Sequence, residues 1–440
     1  YYKEGDSVEF EERVDLVERH DGDTEEVAST WTEWGPIVGR TIKGKPLAYR
    51  WTFHDPAALN FDVLNLGEAR TVDEALAIAG GSGMPNQNMF VADRSGEAAW
   101  ALTGKLPKRF GFDGRFPVTW TFGDRGWDGY LAPAERPVKR ATAGQALWSG
   151  NQRKVSGDDL VKIGDNGFDD ALRAGQIERR LSELDGQVTP ADLLEIQLDH
   201  RADWAMRWSE VLKTTLTSDY LEEAEVDPGE VLAALESWDG LATSTSIGYR
   251  IVRRWHSLLT ARTLDPIFAK TVQKDPAFRY WRLRYEDALW ALHRDEPPHL
   301  VGPPYANWSD LRARVTRELL AEIDDAGGLN RFTWGEVNRL EMRHPFALIL
   351  PGMIADFLNM PPDPQSGDSR LPRVARPQHG ASLRIIVAPG REDEGILHLP
   401  GGQSGNPLSP YYRAGHAAWL AGDPTPLQPG PLRHRLTLQP

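Results

Sequence analysis

The chain contains no cysteine. That excludes disulfides, thiolate metal sites and cysteine nucleophiles together, and it fits a cytoplasmic or an exported protein equally well. No apolar run approaches the ~18 residues needed to span a bilayer. Positive charge is in deficit: 50 Lys and Arg against 64 Asp and Glu give a formal net charge of −14. Without a basic footprint to offset phosphate repulsion, nucleic acid is excluded as a main partner. The beginning also lacks what beginnings have. Tyr1-Tyr2-Lys3-Glu4-Gly5-Asp6 carries no initiator Met, no basic leader and no apolar signal core. It reads as the middle of a hairpin, and so as a truncation or an internal cleavage point.

At 440 residues the chain is long enough for two or three lobes, or for one large domain with an insertion. Its 40% hydrophobic and 26% charged residues are ordinary for a soluble globular protein. The 32 prolines, 41 glycines and 16 tryptophans point to long structured loops and aromatic surfaces, most of the tryptophans being core.

The pattern along the chain runs β, then α, then β. Residues 7–17 and 25–33 alternate as strands around the turn His20-Asp21-Gly22-Asp23. Short strands follow at 35–39 and 47–53, then a helix over 72–80 behind the N-cap Thr71. Asn88 to Asp93, the turn Asp93-Arg94-Ser95-Gly96 and the returning Glu97 to Thr103 predict a hairpin. From Leu106 to Gln152 a Gly/Pro/Trp-rich stretch predicts a long ordered loop, a kind of segment that is usually functional. Helices are expected from Thr189-Pro190 onward and near 202–218, 228–237, 246–263, 277–294 and 306–324. Beyond Phe346 loops and strands return, clearest at 382–387 and 396–399. The expected segments are therefore 1–188, 189–340 (a helical lobe) and 341–440, the outer two sharing a sheet-based core.

Three stretches carry a family resemblance. The first is Pro85-Asn86-Gln87-Asn88-Met89-Phe90-Val91-Ala92-Asp93 with its turn and the later Leu106-Pro107-Lys108-Arg109. The second is Trp148-Ser149-Gly150-Asn151-Gln152. The third, and the most specific, is Leu399-Pro400-Gly401-Gly402-Gln403-Ser404-Gly405-Asn406-Pro407 followed by Ser409-Pro410-Tyr411-Tyr412. In this order they resemble the nucleophile-bearing subunit of the penicillin acylase (penicillin amidase) family of N-terminal-nucleophile hydrolases. The resemblance implies an α+β fold: a four-layer αββα core with a helical insertion lobe. It implies hydrolysis of a linear N-acyl amide, autoproteolytic processing of a zymogen, a smaller alpha chain as partner, and a periplasmic or secreted location. It implies no cofactor for catalysis, and it allows a structural calcium ion. The family's N-terminal Ser and the segment after it have no match here, so the chain by itself is expected to be inactive.

In that family the Ser hydroxyl attacks the amide carbonyl while its own α-amine, with an ordinary pKa of ~7.7–8.0, takes the proton. The resemblance makes Asn88 the oxyanion donor, a neutral amide able to meet O⁻ without acting as an acid. The local alternative is an Asn that caps the loop Gly83-Met84-Pro85. It makes Arg109 the active-site arginine, a permanent cation that depresses the pKa of a nearby amine; otherwise Arg109 is a solvated neighbour of Lys105 and Lys108. Asn151 is either a polar wall residue that binds substrate or a strand-end turn.

Other residues suggest other chemistry. The spacing of Asp199, His200 and Asp203 on a helix allows a metal site, against ion pairing and helix capping. Gly401 to Gly405 lacks the Lys-Ser/Thr of a phosphate loop and reads as a conformationally demanding turn near the core. A rival function is glycoside hydrolysis, with Asp124 and Asp128 facing each other across a Trp-lined cleft. A third reading is a non-catalytic binding lobe.

Overall fold

A computed structural model describes residues 1–164, 167–218, 221 and 226–438. The chain divides into two compact units, 1–169 and 170–440.

The first unit opens with β1 (Tyr2–Lys3) and β2 (Asp6–Ser7), which pair as a small hairpin. β3 (Glu11–Glu18), β4 (Thr24–Thr32), β5 (Gly35–Arg40) and β6 (Pro46–Ala48) then form a four-stranded antiparallel sheet in chain order. The strand expected over 47–53 stops at Ala48. Thr52–His54 turns into a 3₁₀ helix instead, where the Trp51 and His54 rings meet edge to face. α1 (Val72–Gly81) begins as expected, Thr71 Oγ1 accepting from the Glu74 amide at 3.2 Å. The predicted hairpin is present as β7 (Asn88–Ala92) and β8 (Ala98–Leu102), with Asn88 opposite Leu102 and Phe90 opposite Trp100. Asp93 Oδ1 accepts from the Ser95 amide and so closes the turn.

The long loop expected over 106–152 is corrected. It contains β9 (Pro107–Phe110), β10 (Gly126–Tyr130) and β11 (Val138–Ala141). β9 pairs with β10 through a register irregularity between Trp127 and Tyr130, and β11 adds to the free edge of β8. These strands are short and bulged, and the ladder rather than their own alternation holds them, so period-two reading misses them. α2 (Gly157–Ile163) closes the unit.

The second unit begins with α3 (Leu172–Ser182), followed by α4 (Pro190–Gln197), α5 (Asp203–Leu216), α6 (Pro228–Glu236) and α7 (Ile247–Lys274). Then come α8 (Glu286–Asp295), α9 (Trp308–Asp325), α10 (Trp334–Val337) and α11 (Gly352–Leu358). The caps follow the sequence: Thr189 on α4, Ser246 on α7 and Asn307 on α9. α7 runs past its expected end at 263, through Pro266. Its last ten residues are largely exposed, so water can take the Arg262 carbonyl that the proline ring leaves without a donor. The helix expected over 277–294 begins only at Glu286, behind a 3₁₀ turn at 280–282. Trp208, Leu212, Tyr249, Trp255, Leu259, Leu289, Leu319 and Leu320 make the core between α5, α7, α8 and α9. Two small hairpins follow: β12 (Ala375–Arg376) with β13 (His379–Gly380), and β14 (Arg384–Ile386) with β15 (Ile396–His398). α12 (His416–Ala421) ends the regular structure. The α2, α3, α10, α11 and α12 segments carry no expected helix, and none of the five has a side-chain N-cap bond.

The strands and helices make mixed α and β content, as expected. Among the described residues each ladder joins strands of one unit.

Candidate active site

The β7–β8–β11 sheet has two unlike faces, because side chains alternate across it. One face packs under α1 through the buried Ala99 and Ala101, small enough to let a helix approach. Arg140, opposite Ala99, bonds Asp73 of α1 on that side. The other face carries Asn88, Phe90, Trp100 and Lys139.

Asn88 begins β7 with its side chain exposed. Its Oδ1 accepts a hydrogen bond from Trp100 Nε1 at 2.8 Å. Asn88 therefore caps nothing in the Gly83–Pro85 loop through this bond. Asn86 is the amide that ties the loop down, donating to the Thr103 and Lys105 carbonyls. Trp100 is 1% exposed. Lys154 sits against the same face, its ammonium 5.0 Å from the Phe90 ring, 5.8 Å from Trp100 and 5.9 Å from Trp148. Burial, with a smaller contribution from the neighbouring Lys139, draws the Lys154 pKa down to about 8. Sequence reading overlooks Lys154. The signal for it is its place three residues after Asn151 in the second resemblance segment, together with the aromatic Trp148 before it.

Arg109 lies in β9 opposite Trp127, half-buried. Its Nη1 donates to the Lys162 carbonyl at 3.0 Å, in the last turn of α2, where helix carbonyls lack partners within the helix. Two left-handed glycines make room for it. A Cβ on Gly114 would come within 2.9 Å of Arg109 Nε, and one on Gly164 within 3.7 Å of Nη2. Burial pulls its pKa below the ordinary arginine value. Asn88 and Arg109 thus bond to different partners, Trp100 and Lys162.

Asn151 takes a left-handed conformation, φ +66°. Its amide is held by Ser149 Oγ at 3.2 Å and its carbonyl accepts from the Asp169 amide at 3.0 Å. Backbone geometry alone accounts for an Asn there, and its side chain is exposed.

The remaining expectations resolve differently. Asp199 precedes α5 and Asp203 opens it, so the two do not share a helix face. Asp199 lies among Gln176, Arg180 and Arg201, and Asp203 pairs with Arg179 at 2.6 Å. Among the described residues no group of three or more His, Asp or Glu could hold a metal ion. Asp124 is exposed beside Arg125, and the neighbouring Trp120 and Trp127 hold the Arg50 guanidinium rather than a facing carboxylate. The Gly401–Gly405 turn is as constrained as expected: a Cβ on Gly402 would lie 1.6 Å from the Tyr411 carbonyl oxygen. Among the described residues no helix is long and apolar enough to cross a membrane.

Comparison with known proteins bears on the whole chain. It is 27% identical over 393 residues to acyl-homoserine lactone acylase QuiP of Pseudomonas fluorescens, an alignment covering 80% of this chain and 46% of that protein. It is 24% identical over 443 residues to the QuiP of Pseudomonas aeruginosa, covering 90% and 51%. The chain thus spans about half the length of the curated relatives it matches. The structure of a thermostable penicillin G acylase from Alcaligenes faecalis matches with a TM-score of 0.62 at 14% identity, covering all of this chain and 84% of that one, so the two share a fold. A penicillin amidase family model matches residues 1–431, and the chain belongs to that family.

Proposed function

We propose that this chain forms part of an amidohydrolase that cleaves a linear N-acyl amide through an acyl-enzyme. The nucleophile would be an N-terminal Ser outside these 440 residues but on the same subunit, with the family's smaller alpha chain as partner, the whole acting in the periplasm or outside the cell. The named relatives favour an N-acyl homoserine lactone as substrate over a penicillin side chain. In the same reading the fold is a four-layer αββα core, and the 189–340 helices form an insertion lobe.

The observation that carries the reading is the placement of Asn88: an exposed amide at the leading end of a hairpin, in a chain whose residues 1–431 the family model matches. A donor fixed on a strand is held where an oxyanion forms and needs no reorganisation as charge develops. The Ser hydroxyl would attack the carbonyl, its α-amine would accept the proton, and Asn88 would bond the resulting O⁻. Arg109 keeps N–H groups beyond the one bound to Lys162, and it is proposed as the cation that lowers the pKa of the amine and orients neighbouring groups. Asn151 is proposed as a polar contact to substrate.

The test is steady-state hydrolysis of an N-acyl homoserine lactone by the protein expressed from its complete reading frame. Asn88→Ala should lower kcat by roughly 10²–10³, the loss typical of an oxyanion donor. Unchanged kcat in a folded variant would remove Asn88 from the mechanism.

A further inference from the structure

The geometry points to Trp100 as a positioning residue that fixes which end of the Asn88 amide is offered to the reacting carbonyl. This rests on the reading of Asn88 as oxyanion donor.

An asparagine amide has a donating end and an accepting end, nearly identical in shape, and a half-turn about χ2 exchanges them. The two orientations are chemically opposite here. With Nδ2 outward the group stabilises an oxyanion; with Oδ1 outward it repels one. An exposed Asn at a strand end has no intrinsic reason to prefer either. The neighbour decides. Indole Nε1 carries a hydrogen and no lone pair, so it can donate and cannot accept. Its partner 2.8 Å away must therefore be the amide oxygen, and Nδ2 is left as the free end.

The indole itself has little freedom to follow a turning amide. Trp100 is 1% exposed, so its N–H has no water to fall back on and losing the bond would leave a buried donor unmet. The strand ladder fixes the approach: Phe90 stands directly opposite Trp100, and Asn88 lies one pair further along on the same face, the diagonal distance that a long aromatic side chain spans. Lys154 adds a cation–π contact to the ring, its ammonium 5.8 Å from the Trp100 centroid. Trp100 acts through Asn88 and touches no reacting atom.

The experiment is a double-mutant cycle on the protein from its complete reading frame, with an N-acyl homoserine lactone as substrate. Trp100→Phe keeps an aromatic ring and deletes the N–H. It should lower kcat about tenfold, the effect of releasing one hydrogen bond, while KM stays within about twofold. In the Asn88→Ala background the same substitution should change kcat hardly at all, because there is no amide left to orient. Equal losses in both backgrounds, or no loss in the Asn88 background, would overturn the inference. If Trp100→Phe does not fold, benzothienylalanine placed at position 100 supplies an isosteric ring without the N–H and is held to the same two outcomes. The underlying reading fails separately: its mark is an Asn88→Ala enzyme with undiminished kcat, whatever Trp100→Phe does.

Discussion

Lowering the pH from 7 to 4 should destabilise the helical unit through His256 by about 3 kcal/mol. The imidazole is 1% exposed, with the Trp204 and Trp208 rings 5.1 and 5.0 Å away, and its Nε2 is 3.1 Å from Glu286 Oε2. Burial strips water from an imidazolium, and this outweighs the attraction of Glu286, so the His256 pKa falls from 6.5 to about 4. Burial alone would raise Glu286, but His256, Arg370 and Trp208 hold it well below the usual carboxylate range. Below pH 6.5 the unfolded chain takes up a proton that the native chain refuses, so stability falls as pH drops and levels off near 4. The gap between 6.5 and about 4, at ~1.4 kcal/mol per pKa unit, sets the ~3 kcal/mol. That is a large share of the 5–15 kcal/mol typical of a domain. Buried His293, held at about 3, acts in the same direction. The assay is urea unfolding followed by tryptophan fluorescence at pH 7, 5.5 and 4, comparing the parent with His256→Gln. The parent should lose about 3 kcal/mol more than the variant across that range. Parallel pH profiles would refute the assignment of a neutral, desolvated imidazole.

Two substitutions in the first unit and one in the second have defined outcomes. Lys154→Met should raise the melting temperature at pH 7. It should also remove a rise in stability above pH 8, because a lysine with its pKa lowered to about 8 costs the fold least once it is neutral. Arg109→Met should lower stability by about 1 kcal/mol, read as a shift in urea midpoint, by removing the donor at the α2 C-terminus. Gly402→Ala should destabilise the second unit markedly in the same assay, since its Cβ would meet a backbone carbonyl that no side-chain rotation can move.

The legible parts of this chain are those whose causes are local. Thr71, Thr189, Ser246 and Asn307 announce helices because a cap bonds within three residues. The 88–103 hairpin is legible from its turn and its alternation, and the order of its motifs made the family legible too. What stayed hidden is held by neighbours distant in sequence. β11 exists as a strand because β8 offers an edge, and α7 continues past Pro266 because water reaches its exposed end. Asn88 could be named from its motif, yet its orienting bond could not. Register arithmetic across the hairpin would have placed Trp100 on the Asn88 face, one pair away, and so supplied the missing signal. Arg109 could be named likewise, while its contact with Lys162 depended on a helix that carried no cap signal.

Amide hydrolysis through a covalent acyl-enzyme leaves a transient adduct that intact-protein mass spectrometry detects. The protein from its complete reading frame is mixed with an N-acyl homoserine lactone and quenched in acid during the first turnovers. A transient mass increase equal to the acyl group is expected on the nucleophile-bearing chain, with release of homoserine lactone alongside, and a smaller, slower adduct in Asn88→Ala. Release of homoserine lactone with no adduct in either protein, or opening of the lactone ring with the amide intact, would contradict it.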